Sequence, residues 1–139
     1  MTVFESSPKT VKAGRHPVHR YLSDIRNLRT LVPEGRVRNL EFKGDYFRFT
    51  IDGIGEVGVR KVPGGSEEKI RFESEGSRPF RFDLEIELGE MSGDNTEIRL
   101  VLSADLNMMM KMMAKKPLQE GVEMAASLLS DELNNKELT

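Results

Sequence analysis

Few residues in this chain carry the equipment for bond-making chemistry. His16 and His19 are its only imidazoles, three positions apart and therefore on one side of a helical turn. Such a pair can offer two nitrogens to zinc, but no carboxylate stands at a spacing that completes a ligand set. Cysteine is absent, which removes thiolate metal sites, iron–sulfur clusters, disulfides and thiol nucleophiles together. Ser-His-Asp and Cys-His schemes accordingly have little material to draw on. Neighbouring carboxylates occur at Glu67-Glu68, Glu85/Glu87 and Asp131-Glu132, each within a pattern that faces water, where nothing raises a carboxyl pKa for acid work. Gly53-Ile54-Gly55-Glu56-Val57-Gly58 spells G-x-G-x-x-G, yet a dinucleotide loop must open a helix. Here Val57 and Val59 continue a strand alternation, so the glycines read as a hairpin turn. The expectation is no catalytic set, no metal and no cofactor.

The unusual chemistry lies in thioethers. Met108, Met109, Met110, Met112 and Met113 fill five of six successive positions. Flexible, polarisable side chains of this kind fill irregular space and adapt to varied apolar partners. Two readings follow: a methionine-packed edge of the core, or a pliable lid over an apolar cavity or a partner-binding surface. The apolar run is far shorter than the roughly 20 residues of a membrane span, so no integral membrane association is expected.

The elements that must position these groups can be read from periodicity. The chain has 139 residues, 37% hydrophobic and 32% charged, with a net charge of −2. That length suits one domain, 1–139, with a real core. The opening residues lack the basic stretch and apolar run of a signal peptide, which leads to a cytoplasmic expectation. Residues 1–38 hold eight Lys/Arg against three Asp/Glu, leaving −7 on the remainder. No aromatic interleaving or nucleic-acid motif accompanies those charges, so they read as the wet face of a helical stretch, with no nucleic-acid partner.

Between about 36 and 106 the pattern has period two. Phe47, Phe49 and Ile51 alternate with polar neighbours, as do Ile70 and Phe72, then Phe80 to Leu88, then Ile98 to Leu106. One greasy and one watered face per strand argues for antiparallel pairing. Gly44-Asp45, Asp52-Gly53, Gly64-Gly65 and Gly93-Asp94-Asn95 supply the turns. In the run 36–43, Val37 is out of phase with Leu40 and Phe42, which predicts a bulge.

From Arg15 to Val32, apolar residues at intervals of three and four predict one bent or two short helices. These divide near Ser23-Asp24, with Pro17 in the first turn and Pro33 closing the stretch. From Asn107 to Leu133 a long helix is expected. Its stripe of Leu118, Val122, Ala125, Ala126, Leu129 and Leu133 lies nearly opposite the methionine arc, whose wet side is marked by Lys111, Lys115 and Lys116. Pro117 lies between the two, which predicts a kink or break near Met113 to Pro117 that turns the methionines toward the core.

The order strand, two short helices, antiparallel meander and long C-terminal helix resembles the START-like (SRPBCC) superfamily, the helix-grip fold. The likeness is carried by Tyr21-Leu22-Ser23-Asp24-Ile25-Arg26-Asn27-Leu28 with Pro33, by Ala104-Asp105-Leu106-Asn107 running into the methionines, and by Lys116-Pro117-Leu118-Gln119. It covers nearly the whole chain and is similar to small bacterial members without assigned function. The resemblance implies an α+β helix-grip: a curved antiparallel sheet of six to seven strands around a long C-terminal helix, with two short helices after the first strand. It also implies an apolar cavity between sheet and helix. Inward candidates are Phe47, Phe49, Phe72, Phe82 and Leu84, with Ser74 in phase as a polar group, roofed by Met109, Met112 and Met113.

Three functions are weighed on this basis. The leading one is binding of a small hydrophobic molecule, a lipid or polyketide-like compound, in that cavity. The second is a polyketide cyclase or aromatase type of enzyme, which would need ionisable cavity groups that these positions do not supply. The third is an interaction module, including a homodimer, that uses the Met-rich segment over a filled core.

Overall fold

The structure is a computed structural model that describes residues 1–31, 37–76 and 79–136. Eight strands form one antiparallel sheet: β1 (Thr2–Glu5), β2 (Lys9–Val11), β3 (Val37–Lys43), β4 (Tyr46–Ile51), β5 (Gly55–Lys61), β6 (Lys69–Ser74), β7 (Phe82–Met91) and β8 (Asn95–Ala104). From β3 to β8 the strands are neighbours in chain order, and β1 and β2 both add to β8. Between β2 and β3 come helix α1 (Arg15–Leu22) and a 3-10 helix (Ile25–Leu31), and the long helix α2 (Met108–Asn134) ends the chain.

The alternation read from the sequence is the register observed. Phe82, Leu84, Ile86 and Leu88 stand opposite Ala104, Leu102, Leu100 and Ile98, so one face of β7 and β8 is continuous apolar surface. Phe72 faces Leu84, Val59 faces Ser74, and Phe47 faces Val59, which carries the same face across β6, β5 and β4. The other face is a lattice of paired charges. Arg99 meets Glu87 at 2.7 Å, Arg60 meets Glu75 at 2.6 Å, and Arg48 bridges Glu41 and Glu56. These pairs face water and stabilise little individually; they keep that face solvated.

The expected bulge lies between Arg38 and Glu41, where Asn39 takes φ 57° and the extra residue restores Phe42 to the inner face. The G-x-G-x-x-G run is the β4–β5 hairpin, with Gly53 at φ 82°. Gly58 has a different role. A Cβ there would overlap the Glu75 carbonyl and the Tyr46 hydroxyl, so the seam between β5 and the end of β6 requires glycine.

Two expectations, the strand number and the break at Pro117, need correction. The sheet has eight strands rather than six or seven, because the N-terminal strand is divided at Ser6 to Pro8 and two strands, not one, precede the helices. Ser6 keeps the ladder closed by donating its N–H to the Leu100 carbonyl and accepting the Leu100 N–H on its Oγ, both at 2.9 Å, while Pro8 has no N–H to offer. The second short helix is present where expected, after Ser23-Asp24, and is wound as a 3-10 helix. Asp24 starts it by accepting the Arg26 N–H, and the tighter winding suits a seven-residue connector. Finally, α2 runs unbroken through Pro117. The proline removes one backbone donor, but the turns on either side carry the helix past it. The expected terminator Pro33, with Val32, lies outside the described residues.

Candidate functional site

The inner face of the sheet is covered unequally. At one end Val18 and Leu22 of α1, Ile25 and Leu28 of the 3-10 helix, and Val122, Ala126, Leu129 and Leu133 of α2 are all buried. They close over Ile86, Leu88, Ile98 and Leu100, none more than 2% exposed. Toward β3 to β5 the cover is thinner, because α2 as a whole packs on β8, β1, β2 and the 3-10 helix. There the apolar side chains Leu40, Phe42, Phe49, Ile51, Phe80 and Leu84 touch the core but remain half-covered.

An aromatic row runs along the half-covered end. Phe42 stacks on Phe47 with ring centres 5.4 Å apart, and Phe47 on Phe49 at 5.8 Å. The Arg29 guanidinium lies 5.1 Å over the Phe42 ring and places a cation at the rim. Phe80 and Phe82 meet edge to face at 5.9 Å. Two open depressions border these rings. One of about 440 Å³ is bounded by Ser74 and Phe82 with Glu73, Arg81, Asp83 and Asp105 around its rim. The other, about 260 Å³, opens on the charged outer face among Asn39, Glu41, Arg48, Thr50 and Glu56 and only touches Phe49.

The residues picked out from the sequence therefore fall into three groups. Phe47, Phe72 and Phe82 are buried on the inner face. Phe49, Leu84 and Ser74 are half-buried there. Met109, Met112 and Met113 are not a roof over the interior: they are 71%, 81% and 74% exposed. The side of α2 that turns inward in this stretch is the line Met110, Ala114 and Leu118, at i, i+4 and i+8, all half-buried. The helix continues through Pro117, and the other four methionines stand on its exposed side.

Interior polar atoms serve the backbone. Ser74 Oγ accepts the Phe82 N–H at 2.9 Å, which joins the end of β6 to the start of β7. Thr96, fully buried, donates to the Ala13 carbonyl at 2.7 Å, and Ser6 holds Leu100. Lys61 is the charged group that sequence reasoning missed: it shares a face with Val57 and Val59, lies opposite Phe72, and donates to the Ser23 carbonyl at the C-terminus of α1 at 3.1 Å. Counting alternation onward from Val57 would have found it. Phe42 was obscured by the bulge. Among the described residues no group of three or more His, Asp or Glu could hold a metal ion.

The perturbed carboxylates lie outside this interior and are structural. Glu123 on α2 accepts both the N–H and the hydroxyl of Ser7, at 2.6 and 2.8 Å, and these hydrogen bonds hold its pKa below the ordinary carboxylate value. Hydrogen bonds from Arg60, His16 and Arg26 lower those of Glu75, Glu67 and Asp24 in the same way.

The half-covered rings leave apolar surface on the inner face, while the two open depressions are lined mainly by charged and polar side chains. No protein-family model matches the sequence, and no curated protein is similar to it in sequence. Solved structures do match in shape. Norcoclaurine synthase from Thalictrum flavum aligns over 97% of this chain and 87% of its own, with TM-score 0.76 and 14% identity. The same enzyme in complex with dopamine and hydroxybenzaldehyde aligns over 98% and 88%, with TM-score 0.74 and 16% identity. A protein from Thermus thermophilus aligns over 95% and 97%, with TM-score 0.70 and 19% identity. With its antiparallel sheet, short N-terminal helix and long closing helix, this chain has the helix-grip fold of the START-like (SRPBCC, Bet v 1-like) proteins.

Proposed function

We propose that residues 1–139, as one START-like domain, bind a small hydrophobic molecule, lipid or polyketide-like, between the sheet and α2. The observation that supports this reading is the unequal cover of the inner face. A sheet that needed only a core would bury Phe42, Phe49, Ile51 and Leu84 as fully as it buries Ile86 and Ile98. Instead Phe42 and Phe49 are left half-covered, and at the start of β7 Phe82 borders an open depression of about 440 Å³, within the range of small-molecule pockets. Phe47, Phe49, Phe82 and Leu84 would line the ligand, with Ser74 at its rim. Phe72 would form the floor. Met109, Met112 and Met113 would reach a ligand only from outside, as a flexible margin to the opening.

The absence of tryptophan makes the test clean. A Phe49→Trp variant carries a single reporter at the aromatic row. A panel of fatty acids and aromatic compounds is expected to change its emission and to raise the melting temperature, and native mass spectrometry of freshly purified protein should retain adducts. No adduct, no emission change and no thermal shift across the panel would overturn the reading.

A further inference from the structure

The first three turns of α2 present a surface that the fold does not use. Met108, Met109, Met112 and Met113 are 71–82% exposed, in two adjacent i, i+4 rows. Lys116 follows the same rows, and Lys111 and Lys115 flank them. Between Asp105 and Glu120 there are three lysines and no acid, in a chain whose overall charge is −2. Among the described residues none of these lysines has an ion-pair partner, whereas arginines across the outer sheet are paired. The segment is also already ordered, since Asn107 caps the helix by accepting the Met110 N–H at 2.8 Å.

We propose that this Met–Lys face is a docking surface for an anionic lipid bilayer, on which α2 lies with its thioethers in the headgroup boundary and its lysines on lipid phosphates and carboxylates. Two other occupants fit less well. A second copy related by a two-fold axis would bring the same three lysines against each other. A stable protein interface buries on the order of 800 Å² per partner, more than three helical turns can present. A bilayer sets no such minimum: exposed apolar groups on a preformed helix and unpaired lysines act additively.

The test is co-sedimentation of the full chain with phosphatidylcholine vesicles and with mixed phosphatidylcholine–phosphatidylserine vesicles. Binding is expected on the mixed vesicles, weakened by added salt. Replacing Lys111, Lys115 and Lys116 by Gln is expected to reduce it about fivefold per lysine. Replacing Met108, Met109, Met112 and Met113 by Ser should reduce it by roughly tenfold or more, with the melting temperature of both variants unchanged. No binding to the mixed vesicles, equal binding to neutral ones, or full retention in the serine variant would overturn the proposal. A Met-dependent dimer in sedimentation equilibrium, without vesicle binding, would assign the face to a second copy instead. These outcomes are independent of ligand uptake, which the Phe49→Trp reporter reads separately.

Discussion

The two halves of α2 are one continuous helix with opposite relations to the rest of the molecule. From Val122 to Leu133 its apolar stripe is buried, with Ala126 and Leu129 fully enclosed, and α2 packs on the 3-10 helix and on β1, β2 and β8. From Met108 to Met113 a comparable number of apolar side chains stands in water. Hydrophobicity alone did not decide which half went inside. The buried half has a partner at every position of its stripe, including the anchor from Glu123 to Ser7 and the bonds of Asn134 to the Lys12 N–H and the Thr10 carbonyl. In the exposed half the half-buried line is Met110, Ala114 and Leu118, after which Gln119 donates to the Glu5 carbonyl of β1 at 2.9 Å. Stability and surface function are thereby separated along a single element.

This contrast can be tested by substitution. Leu129→Ala should cost about 3 kcal/mol by deleting a fully buried side chain, while Met109→Ala should stay within about 0.5 kcal/mol of the parent. Chemical denaturation of the two variants measures the difference, and equal losses would mean that the methionine half is packed after all. Pro117→Ala, at the junction, restores a backbone donor to the Met113 carbonyl and is expected to stabilise by about 1–3 kcal/mol. A loss of stability in thermal melts would show that α2 depends on the local geometry proline imposes there.

Acid should loosen the buried half first. Glu123 has a folded pKa below its unfolded value, so its contribution is complete above the ordinary carboxylate range, about 4.3, and is lost as pH falls through the folded value. Glu123→Gln should therefore melt a few degrees lower near neutral pH, for a difference of about 1 kcal/mol at this water-exposed bond. The two melting curves should converge in acid; a constant offset at every pH would exclude the charge as the cause. The smallest effect on stability comes from oxidation. Dilute peroxide should convert Met108, Met109, Met112 and Met113 to sulfoxides before Met110, with the melting temperature essentially unchanged. Peptide mapping by mass spectrometry checks that order.

Much of this architecture could be read along the chain, because a strand with one wet face writes its register as alternation. Phe82 to Leu88 and Ile98 to Ala104 pair as their phases require, and the mismatch of Val37 with Leu40 and Phe42 marks the bulge. Less could be read where several residues compete for one space. The division of the first strand rests on Ser6 filling both sides of Leu100, a contact 94 residues away in sequence. The bond of Lys61 to the Ser23 carbonyl, and that of Ser74 to the Phe82 amide, are likewise visible only once the distant segments lie side by side.

Local order along the polypeptide thus set which segments are strand or helix, where the turns fall and which face of each strand is apolar, since φ/ψ preference and periodicity act over a few residues. What covers each apolar face was decided by packing between distant segments. A helix can present its stripe to the sheet only where other elements complete the enclosure. Here the 3-10 helix and the N-terminal strands β1 and β2 do so for α2, whose buried positions lie from Val122 onward, while among the described residues Met108, Met109, Met112 and Met113 stay exposed.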